Sequence, residues 1–210
     1  MEEEDTEKKP TPEESLKGVT WLISIMVIVT LLAFAVFIYL QNAETKEETS
    51  FSYNYFKFQK VDGIWYTEAQ EGQNLFQIAM RYSPKEVEDV KVIGNIPELR
   101  NRWGFFFITF DPTAQSFRDV TMANAEISTK LVQHFAIGLS PGCTKPAQAC
   151  EDMGAPIVSC ANSTIPVIFL NQEPGPLVEI RGNCAIIQGE NDDIVRAADR
   201  FMYGMYRIMG

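Results

Sequence analysis

The sequence predicts an α/β (α+β) extracytoplasmic domain, a mixed sheet with at least two packed helices, preceded by one transmembrane helix. Three observations carry this expectation. A run of 22 uncharged residues lies near the N-terminus, four cysteines are confined to the last third, and short β-branched runs alternate with two helical patterns.

Residues 19–40 read VTWLISIMVIVTLLAFAVFIYL. As a helix they span about 33 Å, matching a hydrocarbon core of about 30 Å. Trp21 and Tyr39 sit near the two ends, where amphipathic rings favour the membrane–water boundary. A cleaved signal peptide would carry a basic leader, a shorter apolar region and a small-x-small cleavage site. Here the leader is acidic and Gln41-Asn42-Ala43 follows the apolar run, so a retained anchor is expected. Ser24 and Thr30 can bond back to the helix's own carbonyls.

Charge is unevenly spread. Residues 1–18 form an acidic tail, with seven acids against Lys8, Lys9 and Lys17, and residues 41–50 form a polar stalk. Of the formal charge of −10, −4 remains for the domain, residues 51–210. A mildly acidic domain without a Lys/Arg cluster lacks the electrostatic footprint of nucleic-acid binding.

Lysines near the helix number three on each side, so the positive-inside rule does not fix orientation. The cysteines and a sequon do more. Cys143, Cys150, Cys160 and Cys184 are even in number, with no Cys-x-x-Cys and no histidine nearer than His134. Disulfides are the leading reading, ahead of buried thiols and of metal. Of three possible pairings, Cys143–Cys150 would close a polar loop and Cys160–Cys184 would tie two strands together. Asn162-Ser163-Thr164 is an acceptor triplet for glycosylation at Asn162. Both point to a cytoplasmic N-terminus and a domain outside.

Along the domain, FSYNYFKFQK and IWYTEAQ flank Asp62-Gly63, a hairpin signal because both residues tolerate positive φ. NLFQIAM is ambiguous between strand and helix. Ser83-Pro84-Lys85-Glu86 has the form of a capping box with proline at the first helical position. DVKVIG predicts a strand, and WGFFFITF (103–110) a central strand buried on both faces. Val120, Asn124, Ile127, Leu131 and Phe135 repeat at helical spacing, with Gly138 as C-cap. Ser140-Pro141-Gly142-Cys143 reads as a turn. PIVSC, PVIFLN, LVEIRG and CAIIQG predict short strands. A last helix opens at Asn191-Asp192-Asp193, with an apolar stripe of Ile194, Ala198, Phe201, Met205 and Ile208.

Candidate chemistry is sparse. His134, at the edge of the first stripe, is the one general-base candidate near neutral pH and reads as a hydrogen-bonded structural histidine. Glu190, Asp192 and Asp193 crowd the last helix start, where they would satisfy free amides and repel phosphate. Asp199, beside Arg196 and Arg200, reads as a solvated helix face. Met202 and Met209 lie off the apolar stripe, and an exposed adaptable patch there would mark a partner surface.

The series WYT, RYSP-KEVEDV, ITFDP, CANST-PVI and NCAII-G-…-IVRAADRFMYG resembles an uncharacterised family of archaeal single-pass membrane proteins. That resemblance implies the anchor-plus-domain layout and an archaeal envelope, and carries no activity. The expected function is a membrane-anchored, extracytoplasmic protein-interaction or envelope-assembly component without catalytic activity or cofactor. Its partners would be the bilayer, through residues 19–40, and another envelope or membrane protein. The alternative is a membrane-anchored hydrolase or small-ligand-binding module. An enzyme should show a deep polar cleft with converging ionisable groups, and a binding component an accessible docking surface.

Overall fold

The computed structural model describes residues 12–43, 49–102, 104–114 and 117–210, in two units, Met1–Glu47 and Glu48–Gly210. Tail residues 1–11, stalk residues 44–48, Trp103 and the Tyr39 side chain lie outside the described residues.

The first unit is one helix, α1 (Pro12–Ala43). Its stretch Trp21–Ile38 is exposed throughout and is long and apolar enough to cross a membrane, a test that an anchor and a signal sequence both pass. Thr30 donates its hydroxyl to the Met26 carbonyl, so this polar side chain is satisfied within the helix.

The second unit starts with a four-stranded antiparallel meander, β1 (Ser50–Tyr53), β2 (Phe56–Val61), β3 (Ile64–Glu71) and β4 (Asn74–Met80). Asp62 and Gly63 make the β2–β3 turn with φ of 51° and 81°. FSYNYFKFQK is two strands, because Asn54 and Tyr55 also take positive φ and fold the run on itself. NLFQIAM resolves as strand β4, whose Ile78 and Met80 enter the core. A 3-10 helix (Pro84–Val87) follows with both capping-box hydrogen bonds of Ser83 and Glu86 in place.

Six strands form the second sheet, in the order β5 (Lys91–Ile93), β9 (Leu177–Arg181), β10 (Cys184–Gln188), β8 (Val167–Asn171), β6 (Phe105–Phe110) and β7 (Gly138–Cys143). Only the β9–β10 pairing is antiparallel. Strand β6 therefore lies one place from the edge, and Phe105 on it is 39% exposed. The predicted turn at 140–143 is instead part of edge strand β7, where Pro141 is tolerated because one side of the strand needs no donor. The run PIVSC makes only an isolated bridge, Cys143 to Ile157.

Short helix α2 (Ile96–Arg102) precedes β6, α3 (Phe117–Phe135) connects β6 to β7, α4 (Gln148–Asp152) follows β7, and α5 (Asp192–Met205) follows β10. Helix α3 stops at Phe135 with Ala136 at positive φ, so Gly138 opens β7 rather than capping the helix.

Phe58, Trp65, Ile78 and Met80 of the meander share one core with α3, α5 and with Ile168, Leu170 and Ile187 of the larger sheet. Eleven of the 14 residues of α5 are buried, so it is a central helix that reaches solvent only through Asp192, Asp193 and Arg196. On the far face of the larger sheet, Val158, Val167 and Cys184 form a small second core with Phe107, Phe169 and Ile186.

Candidate functional site

The two hairpins of the meander share a short seam. Strand β2 pairs with β3 over Gln59↔Tyr66, Lys60↔Trp65 and Val61↔Ile64 alone. Beyond it, β1–β2 continue together to the Asn54-Tyr55 tip, and β3–β4 to Glu71↔Asn74. Residues Phe56–Phe58 and Thr67–Glu71 have no cross-strand partner on their facing edges. A trough of about 850 Å³ opens between them.

Mixed chemistry lines this trough, with Phe51, Phe56 and Leu75 among polar side chains of balanced charge. Gln59, Gln70, Gln77 and the Tyr66 ring sit with one Lys57 and one Glu68. Side-chain alternation along antiparallel strands places these residues on the outer face, while Phe58, Trp65, Ile78 and Met80 point to the core.

A second cleft of about 380 Å³ shares Tyr66 and Gln77 with the trough and is walled by α3. Glu126, Lys130 and His134 stand at i, i+4 and i+8, on one face of that helix. The Lys130 ammonium donates to the Glu126 carboxylate and, at 3.2 Å, to the Glu126 carbonyl. Arg81 donates to the same carboxylate at 3.0 Å. The His134 ring stacks on Phe76 with centroids 4.5 Å apart, and its Nδ1 is hydrogen-bonded to the Tyr206 hydroxyl. Burial, then the nearby Lys130 charge, pushes the His134 pKa down, which keeps the imidazole neutral at pH 7. Charges are thus paired within the protein, and His134 is tied to a phenol rather than to a serine or cysteine nucleophile.

Behind Glu126 and Lys130, Asp199 is fully buried. Its Oδ2 accepts from the Tyr82 amide at 2.8 Å, while Oδ1 has no partner. Burial raises its pKa to about 7, with Glu126 reinforcing the shift and Lys130 opposing it. Arg200 is 6% exposed, donates to the Gly210 carbonyl, and leaves Nε and Nη1 unpaired. The expected solvated face of Asp199 and Arg200 is overturned because sheet, 3-10 helix and α3 surround α5. Arg196 alone of that trio is partly exposed, donating to Asp89, Asp193 and the Glu86 carbonyl.

The same packing corrects the partner-surface expectation. Met202 and Met209 are 0% and 5% exposed, so their adaptable thioethers fill core space and present no patch. At the start of α5, Asn191 takes φ of 50° and makes no side-chain cap. Asp192 accepts from the Tyr82 hydroxyl and Asp193 from Arg196, so these carboxylates brace neighbours instead of capping amides. Glu190 is exposed.

Cys143 bridges to Cys150 and Cys160 to Cys184, with Cα–Cα distances of 6.4 and 5.4 Å. Cys160 lies in a turn rather than a strand, so its bridge fastens the segment that covers the small second core to β10. Asn162 is exposed, its Oδ1 accepting from the Ser159 amide at 2.7 Å. Trp21 is 66% exposed. No protein-family model, curated protein sequence or solved structure matches this chain.

Proposed function

We propose that this chain is a membrane-anchored binding component whose globular domain lies outside the cytoplasm and holds a segment of another protein in the trough of its meander. The supporting observation is the trough itself: wide, sharing Tyr66 and Gln77 with the α3 cleft, and lined by amides, aromatic rings and Leu75 with one side chain of each charge. Such a lining exchanges hydrogen bonds with a polypeptide without demanding a charged ligand. The two disulfides fit an oxidising compartment, and the exposed Asn162 fits a glycan there.

Photo-crosslinking side chains at Gln70 and Gln77, introduced into the full chain in native membranes, test the reading. One discrete adduct at both positions, absent from a probe at Glu173 on the β8–β9 loop, is the expected result. Equal labelling at all three positions would overturn it. Thiol blocking before and after reduction reads the compartment: four thiols open only after reduction are expected, and four open beforehand would place the domain in a reducing space.

A further inference from the structure

The triplet Asn162-Ser163-Thr164 is the only Asn-x-Ser/Thr in the chain, and the fold displays it on a surface loop. The loop is held at both ends, by the Cys160 bridge to Cys184 of β10 and by Val167, which opens β8. Within it the Asn162 amide donates to the Ser159 carbonyl at 3.3 Å, closing a tight turn. Asn162 and Thr164 are both exposed.

The two ends of the Asn162 carboxamide are used differently. Its Oδ1 accepts from the Ser159 amide at 2.7 Å and from the Ser159 hydroxyl at 3.1 Å. Its Nδ2 has no hydrogen-bond partner among the described residues, so the nitrogen is the part of the side chain that the turn does not use. An N-linked sugar attaches through that nitrogen and leaves the carbonyl oxygen an acceptor, so both bonds to Ser159 survive the modification. Ser163, the middle residue, uses its hydroxyl inside the loop, donating to the Ile165 carbonyl at 2.7 Å and accepting from the Ile165 amide at 3.1 Å. Thr164, the third residue that such a triplet requires, is fixed through its carbonyl, which accepts from Asn183 at 3.2 Å. Its hydroxyl has no partner among the described residues.

We infer that Asn162 carries an N-linked oligosaccharide on Nδ2 while its Oδ1 keeps the turn closed on Ser159. The inference rests on the reading of the domain as lying outside the cytoplasm, and adds a covalent modification and the geometry that tolerates it. The donor is an oligosaccharide linked through phosphate to a membrane lipid, brought by a membrane transferase. The bond from sugar C1 to the phosphate oxygen breaks and a bond from C1 to Nδ2 forms. The lipid phosphate leaves with the electron pair, and one Nδ2 proton passes to a base of the transferase.

The test is mass spectrometry of the peptide holding Asn162, from the full chain isolated from its native membranes, with thiol blocking scored on the same sample. Added saccharide mass on Asn162 is expected, lost in Thr164→Ala and kept in Thr164→Ser and Ser163→Ala. Thr164→Ala leaves the acceptor nitrogen and the Ser159 bonds in place, so the loss there reports recognition of the triplet and not a broken turn. The Ser159 amide should exchange equally slowly in the glycosylated chain and in Thr164→Ala. Faster exchange in the glycosylated chain would overturn the stated geometry. Mass retained in Thr164→Ala would assign it to another chemistry and overturn the N-linked sugar. A bare Asn162 in chains whose four thiols open only after reduction would overturn the sugar and leave the outer placement standing. A bare Asn162 with the thiols open beforehand would overturn both.

Discussion

Nδ1 of His134 and the hydroxyl of Tyr206 meet across 72 residues of sequence, joining the last turn of α3 to the residue that ends α5. The bond fixes the wall of the smaller cleft to the central helix. Burial there, then the nearby Lys130 charge, lowers the pKa of the chain's sole histidine, whose ring also stacks on Phe76.

With one histidine, its imidazole resonance can be followed without assignment ambiguity. The midpoint is expected below the ordinary value of about 6.5, and Lys130→Met should move it up by removing a neighbouring positive charge. Because the folded pKa is the lower one, the unfolded chain takes the proton first as pH falls. His134 therefore contributes its full stability above about pH 6.5 and loses it as pH drops toward the folded value. A His134→Leu chain should lose that part of the acid slope, and an unchanged slope would refute the assignment.

Asp199 predicts the opposite slope. Its folded pKa of about 7 stands against an ordinary 3.8, so the folded state holds a proton that the unfolded state has released. Stability should fall as pH rises from about 4 to about 7 and then level off. The groups facing this carboxyl are Glu126 and Lys130 from α3 and the Arg81 and Tyr82 amides ahead of the 3-10 helix. Asp199→Asn should gain on the parent between pH 5 and pH 8 by on the order of 2 kcal/mol, read by chemical denaturation at each pH. A gap that stays constant with pH would show the carboxyl ionised at both.

Much of the fold was legible from local signals. Asp62-Gly63 marked its hairpin, Ser83 and Glu86 their box, and the Val120–Phe135 repeat its helix, because turns and caps are decided by neighbouring residues. Gly138–Cys143 was not, since an edge strand tolerates the proline and glycines that elsewhere mean a turn. Nor was the Asn54-Tyr55 turn, where an aromatic residue takes positive φ inside a strand-like run. Asp199 and Arg200 looked solvated because helical periodicity registers one apolar stripe, whereas α5 is enclosed by packing that only the tertiary structure creates. The trough was least legible: it exists because the β2–β3 register ends at Gln59↔Tyr66, which no residue there announces. His134 was visible as a polar residue at a stripe edge, but its partner Tyr206 was not.

The two disulfides should differ in worth. By loop-closure entropy, the bridge over 24 residues contributes roughly 3 kcal/mol and the one over seven roughly 2 kcal/mol. Cys160→Ser/Cys184→Ser should therefore cost more than Cys143→Ser/Cys150→Ser in urea unfolding of the full chain in detergent. It should also loosen the segment over Val158 and Val167, seen as faster amide exchange there. Equal costs with no local loosening would mean the Cys160–Cys184 bridge fastens nothing that packing does not already hold.

Gly204 sits where α5 passes α2. A Cβ at this position would stand 2.6 Å from Ile96 Cδ1 and 3.1 Å from its Cβ. Helix propensity alone favours alanine by about 1 kcal/mol, yet overpacking in a filled core costs about 1–3 kcal/mol. Ile96 is 3% exposed and has little room to withdraw, so Gly204→Ala should be net destabilising. Ile96→Ala alone should also destabilise, by about 2–5 kcal/mol, through the cavity it leaves. In the double variant the new methyl occupies part of that cavity, and the combined cost should fall short of the sum by at least about 0.5 kcal/mol. Strict additivity would show that the two residues do not compete for the same space, and that glycine at 204 answers to something other than the close approach of α2.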